Sequence, residues 1–344
     1  MTAVVVIPTL NERDHIEGLL AQFLAEPLDA VGGILVADGG STDGTRAIVE
    51  RIAREEPRVQ LVDNPDRIQS AGVNRAVALA NPRWDVIVRV DAHADYPQDY
   101  VTRLLASLER HEADTVVVRL TTRGVTPFQR ATAAAQNSRI GTGGSAHRMG
   151  GASRFVDHGH HAAFRRAIFE QVGGYDTSFE ANEDAELDAR IRQRGGRIWL
   201  DTTIPVIYYP RKTVRALARQ YFRYGSGRAR TVLKHGEKLK LRQMLPPVVL
   251  LAICASMAGA LVWTPLLSVA LVYALLLFGA AAAMALQTRS FSTLLAAPAA
   301  ATMHLAWGAG FLRRIFTERV FAMQPAASQT VSVARSTRNY EEPE

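Results

Sequence analysis

The stretch WDVIVRVDAHADYP, residues 84–97, decides the fold, because a buried-strand pattern runs directly into a polar turn. The same transition occurs upstream in VVVIPTLNE, residues 4–12, and in GGILVADGGSTDG, residues 32–44. Further strand patterns cover residues 58–63 and 114–120, and helix patterns separate the strands. Strands and helices that alternate at these lengths predict an α/β fold with a mostly parallel sheet and helices on both faces.

Polar clusters follow three of the predicted strands, at the edge where open α/β sheets bind ligands. The clusters are Pro8-Thr9-Leu10-Asn11-Glu12, Asp38-Gly39-Gly40-Ser41 and Asp91-Ala92-His93. The glycines after Asp38 let the backbone approach a ligand closely, and an acid at a strand end suits the hydroxyls of a ribose or the edge of a base. The alternative for this turn is a capped tight turn without a ligand.

The triplet Asp91-Ala92-His93 is a candidate metal site. A carboxylate and an imidazole at a strand end can hold a divalent cation, which would offset the charge of a diphosphate leaving group. A histidine ligand makes Mn²⁺ somewhat more natural than Mg²⁺. Such a triplet is also typical of an ordinary polar turn.

Glu183 and Asp184 open a predicted helix after a Gly-Gly-Tyr-Asp turn. One interpretation is a general base that takes a proton from a sugar hydroxyl. The other is that acids in a first helical turn complement the helix dipole. His160 and His161 are weaker candidates for contact with a ligand or the metal, and a structural role is the alternative for both.

The C-terminal part is apolar and follows a basic stretch. Residues 211–242 contain eleven lysines or arginines and one acid, Glu237, so they carry +10 in a chain of net charge +7. Residues 243–288 contain no Asp, Glu, Lys, Arg or His, which allows two membrane spans at about 244–262 and 266–286. We therefore interpret the basic stretch as a collar that faces anionic lipid, and we expect no nucleic-acid partner.

A third uncharged run, residues 290–312, ends at Arg313 and Arg314. Three full spans would place these arginines outside, against the positive-inside bias, so an interfacial or re-entrant placement stays open. A buried helical hairpin of a soluble protein is the alternative for the whole apolar region. The single cysteine, Cys254, allows no intrachain disulfide, and the N-terminus does not resemble a signal peptide. We expect a multi-pass protein of the cytoplasmic membrane with its catalytic domain in the cytoplasm.

These patterns divide the chain into four parts. They are a catalytic domain at 1–210, a basic amphipathic collar at 211–242, a membrane domain at 243–315 and a polar tail at 316–344. Within the first part, the pattern weakens over residues 119–157, where GTGGSAHRMGGAS at 141–153 is rich in glycine and serine and predicts a mobile loop. A helix is expected at 183–194, and short strands at 197–200 and 205–209.

Five motifs occur in a fixed order: VVVIPTLNE, VADGGSTDGT, VDAHADYP, GGYD with NEDAELDARIRQRGGRIW, and QYFRY. In this order the sequence resembles the family 2 glycosyltransferases, which are inverting enzymes with the Rossmann-like GT-A fold, over about residues 3–230. The DAHADYP form, the basic collar and the apolar helices are most similar to the ExoA-like enzymes of succinoglycan and related exopolysaccharide assembly.

The resemblance implies a role for each matching residue. The residues that would bind the nucleotide-sugar, typically with uridine as the base, are Pro8, Thr9, Asn11, Glu12, Asp38, Gly39, Asp91 and Ala92. The cation would bind Asp91 and His93, and Asp184 would be the catalytic base. The residues that would lie near the diphosphate and the acceptor are Glu183, Gln220, Arg223 and Tyr224.

Two departures from the family pattern matter. His93 replaces the second acid of the usual Asp-x-Asp, which leaves the identity of the metal open. Tyr224 replaces the tryptophan common in processive synthases, which disfavours synthesis of a long polymer.

We therefore expect transfer of a hexose from a UDP-sugar to a lipid-linked, polyprenyl-diphosphate saccharide at a membrane. A polyprenyl-phosphate hexose synthase is the alternative in which the acceptor is the lipid phosphate itself. A sugar nucleotidyltransferase is disfavoured, because Pro8-Thr9-Leu10-Asn11 is not the glycine- and arginine-rich loop of that class. A membrane-tethered, non-catalytic scaffold that binds nucleotide-sugars is disfavoured by the presence of Asp38, Asp91 and Asp184. The sequence does not indicate an oligomeric state.

Overall fold

The structure, a computed structural model, describes residues 1–323, so the predicted polar tail lies outside the described residues from 324 onward. The strands of residues 1–323 are β1 Ala3–Thr9, β2 Val31–Asp38, β3 Val59–Asp63, β4 Val86–Arg89, β5 Ala94–Asp95, β6 Thr115–Thr122, β7 Arg154–Phe155, β8 His160–Arg165 and β9 Ile198–Tyr208. The helices of the same part are α1 Arg13–Leu24, α2 Thr45–Glu55, α3 Gln69–Leu79, α4 Tyr100–Arg110, α5 Pro127–Gln136, α6 Arg139–Thr142, α7 Ala146–Met149, α8 Arg166–Gln171, α9 Glu183–Gln193, α10 Val214–His235, α11 Leu241–Gly259, α12 Leu267–Thr288 and α13 Ala296–Met323.

The strands of the described part form one sheet in the order β3-β2-β1-β4-β8-β6-β9-β5, with β7 paired to β9. The first four strands in this order are parallel, as the sequence predicts. β8 is antiparallel to both β4 and β6, so the second half of the sheet is mixed. The two short strands predicted at 197–200 and 205–209 are the two ends of β9, which pairs with β6 across a register shift after Val118.

Both faces of the sheet are buried beneath helices, because neighbouring residues of a strand point to opposite faces. Val5 of β1 belongs to the layer that contains Phe23 of α1 and Leu104 of α4. Val6 belongs to the opposite layer, which contains Leu187 of α9. These side chains are fully buried, and burial of each contributes about 1.5–3 kcal/mol. The sheet is therefore held firmly, and the ends of β1, β2 and β4 open at a common edge.

Helices form in the part of the chain, residues 119–157, where the sequence pattern weakens. α5 begins with a capping box in which the Thr126 hydroxyl accepts from the Gln129 backbone N–H and the Gln129 side chain accepts from the Thr126 N–H. Pro127 lies in the first turn, where its missing N–H costs nothing. The short helices α6 and α7 overlap the predicted loop at 141–153, so part of that loop is helical, and its mobility stays a prediction.

Two C-terminal helical segments of the described part are long and apolar enough to cross a membrane: Leu241–Gly259 and Thr264–Thr288. Only 11% of each apolar window is buried, so most of these side chains face outward. α13 differs, because Ala297, Ala300 and Met303 are buried in a cluster with residues of α5 and α10. The third apolar run is thus docked on the catalytic part of the chain, and its relation to a membrane stays a prediction.

α10 and α13 cross closely because glycines lie at the crossing. A Cβ atom on Gly225 would lie 1.9 Å from the carbonyl oxygen of Trp307, and one on Gly310 would lie 2.0 Å from the carbonyl oxygen of Phe222. The two backbones are therefore in contact, and no larger residue fits without separating the helices.

Gly310→Ala is expected to lower the midpoint of thermal unfolding of the detergent-purified chain by about 2–10 °C, since overpacking costs about 1–3 kcal/mol. Gly279→Ala on α12 is the matched control, because nothing lies within 4 Å of its Cβ position. Alanine is favoured over glycine in a helix by about 1 kcal/mol, so the control should be neutral or stabilising. Equal midpoints for the two variants would contradict the close crossing.

Candidate active site

A cavity of about 900 Å³ lies beside the carboxyl end of β4. Its wall comes from the sheet edge, the start of α9, the length of α10, the segment at 139–148 and the beginning of α11. Eight arginines and four carboxylates line it. The sequence-predicted residues that line the cavity are Asp91, His93, Glu183, Asp184, Gln220, Arg223 and Tyr224.

Arg89 of β4 lies at the centre of the acidic end, with 5% of its side chain exposed. Its Nη1 donates to Oδ1 of Asp184 at 2.6 Å, and its Nη2 donates to Oε1 of Glu183 at 3.3 Å. Nη2 also lies 3.6 Å from Oδ1 of Asp91. The Tyr175 hydroxyl accepts from Nη1 and donates to Oδ1 of Asp184, both at 3.0 Å. One buried guanidinium therefore orients the candidate base and the candidate metal ligand together.

The charges of this cluster depend on one another. Burial alone would lower the pKa of Arg89, but Asp184 and the other acids outweigh it and hold that pKa well above its ordinary value. Burial and the charge of Asp184 raise the pKa of Glu183 against the effect of Arg89. Burial also acts to raise the pKa of Asp91, yet Arg89 and His160 lower it overall. Arg89 thus keeps Asp91 ionised in a place that disfavours charge.

The side chains around Asp91 bear on a divalent cation. Gln69 donates to Oδ1 of Asp91 at 2.6 Å, and Nε2 of His160 lies 3.7 Å from Oδ2. Nδ1 of His93 is 2.9 Å from Oε1 of Glu12, and this hydrogen bond raises the pKa of His93 against the effect of burial. Within residues 1–323 no group of three or more His, Cys, Asp or Glu is placed to hold a metal. These donors fit a cation only when diphosphate oxygens complete its ligands, as is usual for Mg²⁺ sites.

The other candidate residues of the donor site lie on the loops after β1 and β2. The Asp38 carboxylate accepts from the backbone N–H groups of Gly40 and Ser41, both at 2.9 Å, and from the hydroxyl of Ser41. Burial would raise the pKa of Asp38, but the bonds to Ser41 lower it overall. Oδ1 of Asn11 accepts from the backbone N–H of Thr42, with Asn11 in the left-handed region at φ 59°. Asp38 thus orders the loop after β2, and Asn11 joins that loop to the loop after β1.

The remaining donor-site candidates have distinct positions. Pro8 and Thr9 end β1, and the Gly39 N–H donates to the carbonyl of Thr9 at 2.8 Å. Ala92 is buried in the core, so only its backbone is available to a ligand. Pro8, Thr9, Asn11, Glu12 and Asp38 do not line the 900 Å³ cavity. The Glu12–His93 bond connects their loops to it.

α10 supplies the opposite wall. The Gln220 amide donates to the hydroxyls of Tyr208 and Tyr224 at 2.8 and 2.9 Å. The Arg223 side chain is exposed at the cavity surface. Arg148 of α7 also lines the cavity, and it donates to the hydroxyl of Thr122, the last residue of β6, at 2.5 Å.

Sequence reasoning missed Arg89, Tyr175 and Arg148. The signal for Arg89 was present, because a charged residue interrupts the apolar strand VIVRV and must therefore find buried partners. His160, a weaker candidate, lies between the two acids, with Nδ1 3.8 Å from Oδ2 of Asp184. The side chain of His161 lies outside the described part of the chain.

α9 is fastened to α10 by Glu186, which is fully buried. Its carboxylate accepts from Arg190 at 2.6 Å, from Lys234 at 2.6 Å and from His235 at 3.0 Å. Burial would raise the pKa of Glu186, but the bonds to Arg190 and Lys234 lower it overall. A carboxyl group whose pKa is lower in the folded than in the unfolded chain stabilises the fold at pH values above its unfolded pKa. This contribution is lost as the pH falls through its folded pKa.

Glu186→Gln is expected to lower the stability at neutral pH by about 3 kcal/mol, because it leaves buried cationic groups without their carboxylate. Because glutamine does not titrate, the variant should also lack the loss of stability that protonation of Glu186 causes in the parent below about pH 4.5. Thermal midpoints measured from neutral to acid pH check both effects. Glu170→Gln, which removes the exposed partner of an ion pair with Arg166, is the control and should change stability by about 1 kcal/mol or less. A neutral-pH thermal midpoint as high as that of the control would contradict the proposal that Glu186 holds α9 against α10.

A Rossmann-like sheet with acids at its strand ends, above a cavity walled by arginines, defines a GT-A-type glycosyltransferase. The chain belongs to the family 2 glycosyltransferases: the sequence model named glycosyl transferase family 2 matches residues 4–173. It is 47% identical over 322 residues to the succinoglycan biosynthesis protein ExoA of Rhizobium meliloti (strain 1021), which covers 92% of this chain and 96% of that protein. The resemblance to the ExoA-like enzymes is thereby confirmed.

Two further comparisons agree with this assignment. The chain is 22% identical over 244 residues to a Methanococcus voltae protein, "Dolichyl N-acetyl-alpha-D-glucosaminyl phosphate 3-beta-D-2,3-diacetamido-2,3-dideoxy-beta-D-glucuronosyltransferase", covering 67% of this chain and 74% of that protein. Its fold is similar to the solved structure of the mannosyltransferase PcManGT from Pyrobaculum calidifontis in complex with GDP-Man and Mn²⁺. That match has a TM-score of 0.63 and 20% identity, and it covers 92% of this chain and 87% of the other. The structural likeness confirms the GT-A-like fold.

Proposed function

We propose that the protein is an inverting glycosyltransferase that moves a hexose from a UDP-sugar to a polyprenyl-diphosphate-linked saccharide during assembly of an exopolysaccharide. The observation that supports this most strongly is a cavity that joins Asp91 and Asp184 to Leu245 and Val249 of α11. α11 is one of the two described helices with the length and composition of a membrane span. Such a cavity is suited to a water-soluble donor and a lipid-anchored acceptor.

The relatives support the same assignment. ExoA is named for succinoglycan biosynthesis, and its similarity extends over the apolar helices as well as the catalytic part. The Methanococcus voltae protein is named for a dolichyl-phosphate-linked sugar. We therefore place the catalytic domain on the cytoplasmic side of the cytoplasmic membrane, with α11 and α12 in the bilayer and the collar at residues 211–242 next to anionic lipid.

In this proposal Asp184 is the general base. Arg89 and Tyr175 both donate to its Oδ1, so the carboxylate has a fixed orientation at the start of α9. It takes the proton of the acceptor hydroxyl while that oxygen bonds to the anomeric carbon. The bond from the anomeric carbon to the diphosphate breaks on the opposite face, which inverts the configuration.

The remaining residues bind and orient the substrates. The residues proposed for the nucleoside are Pro8, Thr9, Asn11, Glu12, Asp38, Gly39 and the backbone at Ala92. When bound, a Mn²⁺ or Mg²⁺ ion held by Asp91 and His93 would offset the charge of the leaving diphosphate. Arg223, with Gln220, Tyr224 and Glu183 beside it, would bind the diphosphate or the acceptor from α10 and α9.

A donor screen tests this function. The purified full chain in detergent is incubated with UDP-hexoses and with GDP-mannose, with and without Mn²⁺ or Mg²⁺, in the presence of polyprenyl-diphosphate-linked saccharides. We expect release of UDP and elongation of the lipid-linked acceptor, and chelation of the cation should remove most of both. Activity with GDP-mannose alone would overturn the donor assignment, and equal activity on polyprenyl phosphate would favour a polyprenyl-phosphate hexose synthase.

A further inference from the structure

The charge in the cavity is unevenly distributed. Three of its four carboxylates, Asp91, Glu183 and Asp184, surround Arg89 at the sheet edge. Arg148, Arg228 and Arg242 line the cavity from other elements, and all three are partly buried. The acidic cluster therefore already has its cation, and these three arginines are in addition to it.

Few carboxylates lie close enough to balance the charges of these three arginines. Within residues 1–323, neither Arg148 nor Arg242 has a carboxylate within 4 Å; Arg148 instead contacts the Thr122 hydroxyl and lies over the ring of Tyr208. Arg228 is 3.7 Å from a carboxylate oxygen of Glu237, which is also paired with Arg192. A partly buried guanidinium group without a nearby carboxylate lowers the stability of the protein unless a bound anion neutralises its charge.

Two histidines lie among these arginines. The rings of His147 and His158 are 5.9 Å apart. Burial lowers the pKa of His147 well below its ordinary value, and the charges of Arg148 and Arg242 lower it further. Burial and the charge of Arg228 lower the pKa of His158, although its bond to Asp188 opposes them. All three arginines thus act electrostatically on this pair of histidines, which lines one part of the cavity.

The same part of the cavity continues into an apolar wall. The residues of this wall come from α11, α12 and α13 and are Leu245, Pro246, Val249, Tyr273, Met303 and Trp307. Arg242 lies one turn before Leu245 on α11, so the change from charged to apolar lining occurs within one helix. A ligand that matches this wall has an anionic group joined directly to a hydrocarbon chain.

We propose that Arg148, Arg228 and Arg242 bind the diphosphate of the lipid-linked acceptor, whose hydrocarbon chain leaves along α11. This rests on the proposed function in one respect, that the acceptor is a lipid-linked saccharide. Guanidinium groups bind phosphate oxygens through short charge-assisted hydrogen bonds, often two at a time. The saccharide would extend from this subsite toward Asp184, which places a hydroxyl near the base.

Direct binding tests the proposal without turnover. Tritiated farnesyl diphosphate is titrated onto the purified full chain in detergent, and farnesol, inorganic pyrophosphate and UDP are the competitors. We expect farnesyl diphosphate to bind at least about tenfold more tightly than either farnesol or pyrophosphate, because both halves of the site are engaged. Saturating UDP should not displace it, whereas displacement by UDP would assign the arginines to the donor diphosphate and overturn the proposal.

Variants of the arginines make the test specific. Arg148→Gln and Arg242→Gln should each weaken farnesyl diphosphate binding about tenfold, since a charge-assisted hydrogen bond is lost. Arg242→Lys keeps the charge and should recover most of the affinity. Lys238→Gln is the matched control, because Lys238 is exposed and does not line the cavity. An equal loss in the control, or no loss in either arginine variant, would overturn the subsite.

The outcomes separate this inference from the proposed function. Release of UDP from UDP-hexoses in a chain that does not bind farnesyl diphosphate would overturn the subsite and leave the transferase assignment standing. Binding of farnesyl diphosphate without any sugar transfer would overturn the proposed function and retain an anionic-lipid site.

Discussion

Asp184→Asn is expected to abolish sugar transfer while the protein stays folded and still binds UDP. Loss of a general base typically costs a factor of 10²–10⁴, so we expect kcat to fall by about a thousandfold. Asparagine has the same size and its Oδ1 can still accept the bond from Arg89, so the cluster should keep its geometry. UDP release and UDP binding, measured on the same preparation, check the two parts of this expectation.

Glu180→Gln is the control for Asp184→Asn. Glu180 also lines the cavity, but it is exposed and has no ion pair within the described residues. Its replacement should leave kcat within about twofold of the parent, since an exposed charge contributes little. If Asp184→Asn kept kcat within about tenfold of the parent, the base assignment would be wrong. A phosphate acceptor, which needs no strong base, would then be favoured.

Much of the candidate site could be predicted from the sequence because it lies at the ends of parallel strands. The apolar runs that end at Thr9, Asp38 and Asp91 are buried strands, and parallel strands must open at one edge. That rule alone places the loops after β1, β2 and β4 together. Glu183 and Asp184 were candidates from their place at a helix start, and the family resemblance selected Asp184 as the base. The bond from Arg89 of β4 places Asp184 next to this edge.

The antiparallel strand β8 could not be predicted in the same way. Its pattern HHAAFR is short, and nothing in it indicates that it lies between β4 and β6. Strand order depends on long-range pairing, which leaves only a weak local pattern in the sequence. For the same reason His160 could be noticed in the sequence but not placed between Asp91 and Asp184.

The close crossing of α10 and α13 could not be predicted from the sequence either. Gly225 and Gly310 read as weak points in two helices, because glycine has a low helix propensity. Their use becomes clear only when the facing carbonyl groups are known. The same holds for Arg242, which sequence reasoning grouped with a collar facing lipid and which the structure places in the cavity wall.

Arg89→Met is expected to have the largest effect on stability. The change leaves Asp91, Glu183 and Asp184 close together without their buried cation. Removal of one partner of a buried charge cluster costs about 3–5 kcal/mol, so the midpoint of thermal unfolding near neutral pH should fall by about 10 °C or more. Transfer should fall as well, because Oδ1 of Asp184 loses the shorter of its bonds from Arg89 and Tyr175.

The pH dependence of Arg89→Met has a defined sign. In the parent, Arg89 is the largest influence that lowers the pKa of Asp91, so the contribution of Asp91 to stability is lost as the pH falls. In the variant, burial and mutual repulsion raise the pKa values of the acids, so the destabilisation is greatest at high pH and is relieved as they take up protons. The difference in thermal midpoint between parent and variant should therefore shrink from about pH 7 to about pH 5.

Arg58→Met is the control for Arg89→Met, because it shows what the loss of a partly buried arginine outside the acidic cluster does to stability. Arg58 pairs with Glu56 and donates to the carbonyl of Leu24, far from the cavity. Its replacement should lower stability by about 1 kcal/mol with little change between the two pH values, because only one acid, itself partly exposed, loses a partner. If the difference in thermal midpoint between the parent and Arg89→Met stayed constant or grew on acidification, Arg89 would be shown to act through packing. In that case the buried guanidinium would not be what keeps Asp91 ionised.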